Sequence, residues 1–262
     1  SRSARKSFEK VAIAKECSDL GDHCKIRIGT VTGANSYFVF SQGRAKEARI
    51  PMYCFVPAVC RAADLGGLAY SRPDYLENLE SGTPCLILHP TPESADRAQT
   101  RSYLRKFSKE SRSTNVTFSK RHLWYRPSDG LLPDAFLPYM HDIGPRLCLN
   151  LSKSISTNTI HRVFFKRSLP LYKRKAICIS LLTTFSQLSA ELEGRSYGSG
   201  VLKHEPSEAT NIRLFLPRSI SISSIDDAFE KADDCLRRGD WNGARLVADK
   251  TMFSRKRWKE LL

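Results

Sequence analysis

The sequence lacks the features that mark membrane, secreted and zinc-binding proteins. It has no apolar run of about 18 residues, so no transmembrane helix is expected. The first ten residues are basic but are not followed by the apolar segment of a secretory signal. The eight cysteines include no Cys-x-x-Cys pair, so their spacing offers no zinc site. We expect buried free thiols in a reducing cytoplasm for the cysteines that lie in apolar runs, namely Cys54, Cys60, Cys85, Cys148 and Cys178.

Acidic residues are absent from residues 143–190, although the chain carries 27 of them. The chain has a formal net charge of +15, which predicts an anionic partner. Nucleic acid is the commonest such partner, whereas no polybasic amphipathic helix or lipidation signal favours an anionic membrane. If the cations of this interval are not ordinary surface charges, they bind DNA phosphates. The phosphate-binding candidates are Arg162, Lys166, Arg167, Lys173, Arg174 and Lys175.

Hydrophobic patterning predicts an α+β fold, with a twisted mixed or antiparallel sheet, packed helices and a helical C-terminal appendage. Alternation over residues 24–32 and a β-prone stretch at 37–41, joined by turn residues, predict a β-hairpin. Further strands are expected over 50–60, 83–89 and 160–166, and helices over 94–110 (capped by Ser94) and 176–192. The pattern from residue 224 onward predicts two helices that break near Asp240. We therefore expect a body of residues 1–220 and an appendage of residues 221–262.

Several sequence blocks, in order, resemble the target-recognition region of N6-adenine DNA methyltransferases from restriction–modification systems. They are V-T-G-A-N-S-Y-F from residue 31, R-H-L-W-Y-R from 121, L-P-Y-M-H-D-I-G-P-R from 137, T-N-T-I-H-R-V from 157 and G-R-S-Y-G-S-G-V-L-K-H-E-P from 194. The resemblance covers about residues 20–250 and implies a domain that reads double-stranded DNA through polar side chains on loops. The candidates for base reading or clamping are Asn35, Arg121, Tyr125, Asn158 and His161.

Plainer roles stay open for these candidates. Asn35 can serve only to shape its turn, and a histidine on an apolar strand, such as His161, is more often structural. Trp124 is expected in the core. Lys153 and Ser154 beside a polar loop are weaker candidates, and the Gly198–Gly200 loop can matter for backbone geometry alone.

The catalytic features of the resembled enzymes are missing from this chain. Those enzymes transfer a methyl group from S-adenosylmethionine, and their catalytic block is Asn/Asp-Pro-Pro-Tyr/Phe. This sequence has no Pro-Pro pair and no F-x-G-x-G cofactor loop. The resemblance thus implies a recognition domain without catalytic, cofactor or metal site, whose partners are double-stranded DNA and a methyltransferase domain or subunit that binds S-adenosylmethionine. The start at Ser1, without Met, is what we expect of a domain from a longer chain.

Two other classes of function remain as alternatives. A metal-dependent nuclease needs clustered carboxylates and a lysine, for which the sequence offers Glu191, Glu193, Lys203, Glu205 and Glu208. A protein-docking scaffold would use the helical tail to hold a methyltransferase subunit. In that case deletion of residues 222–262 should abolish partner binding and leave a folded body that binds DNA.

Overall fold

A five-stranded mixed sheet separates two apolar cores. The structure, a computed structural model, describes residues 8–253 except the side chain of Ser199. The strands of this part are β1 (Cys17–Asp19), β2 (Cys24–Arg27), β3 (Val39–Phe40), β4 (Phe55–Val59), β5 (Ala69–Tyr70), β6 (Leu86–Leu88), β7 (Ala135–Pro138), β8 (Met140–His141), β9 (Cys148–Asn150), β10 (Ile155–Ser156), β11 (Ile160–Phe165), β12 (Arg195–Ser196), β13 (Leu202–Lys203) and β14 (Arg213–Phe215). The central sheet has the order β2-β11-β7-β9-β5, and all its pairs are antiparallel except β5–β9.

Smaller sheets and helices surround the central sheet. A four-stranded sheet has the order β10-β4-β6-β3, a three-stranded one β12-β13-β8, and β1 pairs with β14. The helices are α1 (8–12), α2 (Asn35–Phe38), α3 (Gln42–Glu47), α4 (Arg72–Glu80), α5 (Pro92–Ala95), α6 (Ala98–Arg105), α7 (Lys109–Ser113), α8 (Val116–Ser119), α9 (Leu171–Leu182), α10 (Thr184–Glu193), α11 (Pro206–Thr210), α12 (Ile222–Arg237) and α13 (Trp241–Met252). No helix in the described part of the chain is long and apolar enough to span a membrane.

The two cores follow from the alternation of side chains along the strands of the central sheet. On β7, Leu137 points into the core formed with α9, α10, α12 and α13, whereas Phe136 points into the core formed with α2, α6 and α8. On β11, Val163 points into the first of these cores and Ile160 into the second. The predicted α+β class is confirmed, with the sheet buried on both faces.

The C-terminal helices belong to the first core. Phe229 and Leu236 of α12 are buried in it together with Met252 of α13. The carboxylate of Asp233 also accepts hydrogen bonds from the backbone N–H of Leu68, at 2.6 Å, and of Ala69. The expected boundary at residue 220 therefore marks no break in the packing, and residues 254–262 of the expected appendage lie outside the described part.

The predicted opening hairpin is wrong. β2 pairs with β11, and the shorter strand β3 pairs with β6. Gly33, at φ +79°, redirects the chain, and the next residues form the single helical turn α2. This turn buries Phe38 completely against the rings of Phe118 and Trp124, which an extended strand from Tyr37 onward would not do. Tertiary packing of aromatic rings here overrides the β propensity.

Three predicted strands are confirmed as β4, β6 and β11. Each of the two helices predicted before residue 200 is replaced by more than one shorter helix. Residues 94–110 contain the end of α5, which is capped by Thr91 rather than Ser94, then α6 and the start of α7. The helix expected over 176–192 begins earlier, at Leu171, and breaks at Thr183, whose hydroxyl caps α10. The expected break near Asp240 is confirmed between α12 and α13.

Candidate nucleic-acid interface

The loop of residues 28–35, here called the anchored loop, is fixed to the turn that precedes β11. The N–H of Thr30 donates to the carbonyl of Ser156 at 2.7 Å, and Thr30 forms an isolated parallel bridge with Thr157. Gly29 lies so close to this turn that a Cβ there would be 2.0 Å from the Thr157 carbonyl oxygen. Backbone contact of this kind gives the loop a defined position.

Two arginines hold the carbonyl groups of the anchored loop. Nε of Arg162 donates to the carbonyl of Ile28 at 3.1 Å, and its Nη1 pairs with Asp129 at 2.6 Å. The guanidinium of Arg121 donates to the carbonyl of Val31 and, at 3.2 Å, to that of Trp124. Both arginines thus have their donors directed at protein acceptors, which makes them positioning residues for the loop.

A cleft opens beside the anchored loop. Its volume is about 480 Å³, and an adjoining concavity of about 430 Å³ shares with it Arg121, Pro127 and Asp129. One wall is the anchored loop, and the opposite wall is formed by α8 and Lys120. Exposed apolar and cationic side chains therefore meet at a concave surface.

The chain segment that supplies Lys120 and Arg121 to this cleft is rich in cations. Residues 97–126, here called the basic cap, include α6, α7 and α8 and carry one acidic residue, Glu110, against nine Lys or Arg. Within residues 8–253 none of the nine forms an ion pair with a carboxylate. The nine are Arg97, Arg101, Arg105, Lys106, Lys109, Arg112, Lys120, Arg121 and Arg126. The basic cap thus has a net formal charge of +8 in 30 residues, which favours an anionic ligand.

An aromatic cluster packs beneath the basic cap, between its helices and the core. The rings of Phe107 and Trp124 stack at 5.7 Å between centroids, and Trp124 also contacts Phe118 and Tyr37. The guanidinium of Arg112 lies 4.6 Å from the centre of the Trp124 ring. Trp124 is half-buried and packs against the core that contains Phe38 and Phe118, while the charges stay at the surface.

Arg121 is the base-reading candidate that lines the cleft, and three others lie outside its lining. Asn35 is exposed at the start of α2, and its side-chain oxygen accepts from the hydroxyl of Thr32. Asn158 is exposed at the tip of the turn that holds the anchored loop. Half-buried Tyr125 packs edge-on against Trp124 at 5.9 Å.

The expectation that His161 reads a base is wrong, because its ring is fully buried. Its Nε2 lies 2.8 Å from the carbonyl oxygen of His204, and its ring packs edge-on against Tyr139. Burial lowers the pKa values of His161 and His204, and it lowers the pKa of neighbouring His141 to about 3. All three rings are therefore neutral structural groups at physiological pH.

The six phosphate-binding candidates do not form one surface. Arg162 is buried and paired with Asp129, and it lines the cleft rather than the surface that carries the other five. Arg174 pairs with Asp134 at 2.8 Å, and Lys175 pairs with Asp226 at 2.6 Å. The exposed members Lys166, Arg167 and Lys173 follow the far end of β11, away from the cleft. Of the two weaker candidates, Lys153 is exposed and Ser154 is fully buried.

Two of the four carboxylates proposed for a nuclease form ion pairs within the fold. Glu205 pairs with Lys203 at 3.1 Å, and Glu208 pairs with Arg195 at 2.6 Å. Within the described residues, no group of three or more His, Cys, Asp or Glu side chains is arranged to hold a metal ion. The eight cysteines are free thiols. Of the five that we expect to be buried, four are buried and Cys60 is half-buried.

The basic cap was the surface that sequence reasoning missed. Glu110 interrupts residues 97–126, so they do not stand out as an interval without carboxylates. The ratio of nine cations to one anion, interleaved with Tyr103, Phe107 and Trp124, was the available signal. Charge density over a window would have found it.

Two comparisons with known sequences match type II methyltransferases. A family model described as the C-terminal domain of type II methyltransferase M.Eco57I matches residues 1–253. Type II methyltransferase M.AccI of Acinetobacter calcoaceticus is 24% identical over 187 residues, which make up 71% of this chain and 34% of M.AccI.

A solved structure shares the fold. The type IIG restriction endonuclease BpuSI superposes with a TM-score of 0.61 and 15% sequence identity, over 100% of this chain and 32% of that chain. The chain thus spans about a third of the length of each relative.

Proposed function

Because the chain belongs to the family of the C-terminal domain of type II methyltransferase M.Eco57I, we propose that it is the sequence-specific recognition domain for double-stranded DNA in a restriction–modification enzyme that methylates the N6 of adenine. The observation that carries the proposal is the basic cap beside the cleft, a concentrated set of cations without carboxylate partners. Phosphate contacts made by such a surface supply affinity and orientation on the duplex.

The phosphate contacts are assigned to exposed cations of the basic cap. Arg101 and Arg105 lie four residues apart and share an exposed face of α6, opposite buried Tyr103. Lys109 begins α7, and Lys120 lines the cleft. These side chains have no protein acceptor within the described residues, so their charges are available to an anionic ligand.

Base readout is assigned to polar side chains at the cleft. His122 lines the second concavity, and Asn158 is exposed beside the anchored loop. Asn35 uses its oxygen on Thr32, which leaves its side-chain NH₂ free to donate to a base edge. Arg121 acts indirectly in this proposal, by fixing the loop that carries Val31.

The methyl transfer itself is assigned to another part of the enzyme. This chain has neither the Pro-Pro catalytic block nor the cofactor loop, and it spans about a third of its relatives. S-adenosylmethionine and the residues that hold a flipped adenine would belong to that part. The role of this domain is to place the DNA so that the target adenine reaches it.

Charge reversal within the basic cap tests the proposal. We expect the variant Arg101→Glu/Arg105→Glu/Lys109→Glu to bind random-sequence duplex DNA at least about tenfold more weakly at low salt, with the slope of log affinity against log salt reduced by about 2–3. Fluorescence anisotropy across a salt series measures both quantities.

A matched variant of the acid-free interval serves as the control. Lys166→Glu/Arg167→Glu/Lys173→Glu carries the same charge change, and we expect nearly unchanged DNA affinity. Equal losses in the two variants would show that the basic cap is not the phosphate-binding surface. If the unmodified chain binds no DNA even at low salt, the proposed function is wrong.

A selection from a random DNA pool addresses specificity. We expect a preferred sequence for the unmodified chain and a relaxed preference at one position for His122→Ala or Asn158→Ala, since losing a base contact costs about 1–3 kcal/mol of discrimination. Binding without any preferred sequence would leave a DNA-binding domain that does not read bases.

A further inference from the structure

A second surface, around the start of α9, combines exposed apolar side chains with exposed cations. Its centre consists of Leu132, Leu151, Leu171 and Ile222, each between 51% and 56% exposed. We call it the leucine surface. Four large aliphatic side chains half in water at one place are unusual on an isolated soluble domain, and such patches mark interaction sites.

Two concavities meet at the leucine surface. The smaller, of about 190 Å³, is lined by Leu132, Leu151 and Leu171. The larger concavity, of about 600 Å³, is lined by Tyr172, the residue after Leu171. It extends along Ile222 as a mostly apolar groove. The surface therefore has both protruding side chains and apolar space to receive a partner's side chains.

The rim of the leucine surface is positive. Lys153 lines the smaller concavity, and Lys173 and Arg218 line the larger one. Lys166 joins this rim because its N–H donates to the carbonyl of His23, which lines the larger concavity. The nearby carboxylates are already used, since Asp134 and Asp226 pair with Arg174 and Lys175.

The composition of this surface differs from that of a DNA interface. DNA-binding surfaces are polar, and their apolar contacts are mostly aromatic or single wedges, whereas the centre here is aliphatic. An apolar centre within a charged rim is the usual arrangement of a protein–protein interface. The exposed cations of the acid-free interval thus fit a role in protein binding better than in phosphate binding.

We propose that the leucine surface docks the catalytic part of the same enzyme through an apolar patch on that part fringed by Asp or Glu. The chain spans about a third of the length of its relatives, so a larger part is available as partner. A second copy is disfavoured, because two chains of charge +15 would bring their positive rims together. Residues 1–7 and 254–262 are themselves strongly basic and would be repelled in the same way.

The proposal rests on the methyltransferase nature of the missing part, but not on DNA recognition by this chain. In this proposal the contact with the catalytic part is centred on the start of α9 and not on the helical tail. The apolar face of the tail is buried in the core. The tail helices contribute Ile222, Ile225 and Met252 to the lining of the larger concavity.

Photo-cross-linking in the complete enzyme tests the location. The probe is p-benzoylphenylalanine in place of Leu151, with the same substitution at exposed Leu246 of α13 as the control. Mass spectrometry should find cross-links from position 151 to peptides of the catalytic part, close to Asp or Glu, and few from position 246. Cross-links only to DNA, to a second copy or within this chain would overturn the proposal.

A matched pair of variants separates docking from DNA binding. We expect Leu151→Ser/Leu171→Ser to reduce the methylation rate of the complete enzyme at least tenfold, while the DNA affinity of this chain changes less than twofold. Leu246→Ser should change neither quantity, and thermal unfolding checks that each variant is folded. Unchanged methylation in the double variant would contradict docking at this surface. Loss of DNA binding in the double variant would instead assign the surface to DNA.

Discussion

Asp249 is a buried carboxylate at the junction of two helices. Its two side-chain oxygens accept from the N–H of Thr184 at 2.8 Å and from the hydroxyl of the same residue at 2.6 Å. These bonds connect α13 to the first turn of α10. Burial nevertheless disfavours the charged form and raises the pKa of Asp249 to about 6. The carboxylate thus holds a helix end but destabilises the fold when it is ionised.

The first prediction concerns the pH dependence that follows from this pKa. A carboxyl group whose pKa is higher in the folded state contributes stability below its unfolded pKa of about 3.9 and loses it as pH rises through about 6. Asp249→Asn mimics the neutral form, so we expect its free energy of unfolding relative to the unmodified chain to rise by about 1–3 kcal/mol between pH 5 and pH 7.5. Urea unfolding at the two pH values measures this difference.

The control for Asp249 is Asp227, an exposed carboxylate that pairs with Lys231 four residues later. Asp227→Asn should differ from the unmodified chain by less than about 1 kcal/mol at both pH values. If Asp249→Asn is destabilised equally at pH 5 and pH 7.5, the charge at the start of α10 matters more than its burial.

Residue type alone was a poor guide to the role of individual arginines. Arg121 and Arg162 were expected to contact DNA, and the structure directs both at backbone carbonyls of the anchored loop. A guanidinium is equally suited to phosphate and to carbonyl oxygens, so the sequence cannot distinguish the two uses. The distinction depends on which acceptors the fold brings near.

At the scale of elements, the anchored loop depends on the absence of a side chain at Gly29. A Cβ at this position would lie 2.0 Å from the carbonyl oxygen of Thr157 and 2.4 Å from that of Ile160. Both are backbone atoms, which cannot move without displacing the start of β11. The loop and the turn can be this close only because one of them has no Cβ.

The second prediction is that Gly29→Ala separates the loop from the turn. We expect a loss of about 2–4 kcal/mol in the free energy of unfolding, because overpacking against backbone cannot be relieved by a rotamer change. DNA affinity should fall as well, since the cleft is built on this loop. Chemical denaturation and anisotropy measure the two effects.

Gly43 provides the matched control, because a Cβ there has no neighbour within 4 Å. It lies in α3, where Ala is the better helix former, so Gly43→Ala should raise stability by up to about 1 kcal/mol. An equally small effect of Gly29→Ala would mean that the loop is not tightly fixed to the turn.

At the scale of the whole molecule, α12 and α13 are structural rather than appended. They bury Ile225, Phe229, Leu236 and Met252 in the larger core. Each such side chain contributes about 1.5–3 kcal/mol when buried, and four of them match the net stability of about 5–15 kcal/mol of a typical domain. The helical hairpin was visible in the sequence, but its place in the core was not.

The third prediction is that a chain ending at Ser221 does not fold cooperatively. The earlier expectation, that deletion of residues 222–262 leaves a folded body, is therefore replaced by loss of the thermal transition measured by circular dichroism. A chain ending at Phe253 keeps both helices and is the control, with a cooperative transition. A sharp transition for the shorter chain would show that the body is an independent domain.

The sequence by itself determined the α+β class, the main strands β4, β6 and β11, the two C-terminal helices and the family resemblance. These follow from local periodicity, turn chemistry and the order of short blocks, which are properties of neighbouring residues. The net charge likewise predicted an anionic partner without reference to the fold.

Only the tertiary structure decided which residues form the candidate site. It paired β2 with β11 rather than with β3, buried His161 and Arg162, and, within residues 8–253, gave the cations of the basic cap no carboxylate partner. Exposure and pairing of a charge depend on contacts between residues far apart in the chain, such as Arg162 with Asp129. Local patterns contain no information about such contacts, and this is why the charges could be counted from the sequence but assigned to surfaces only from the fold.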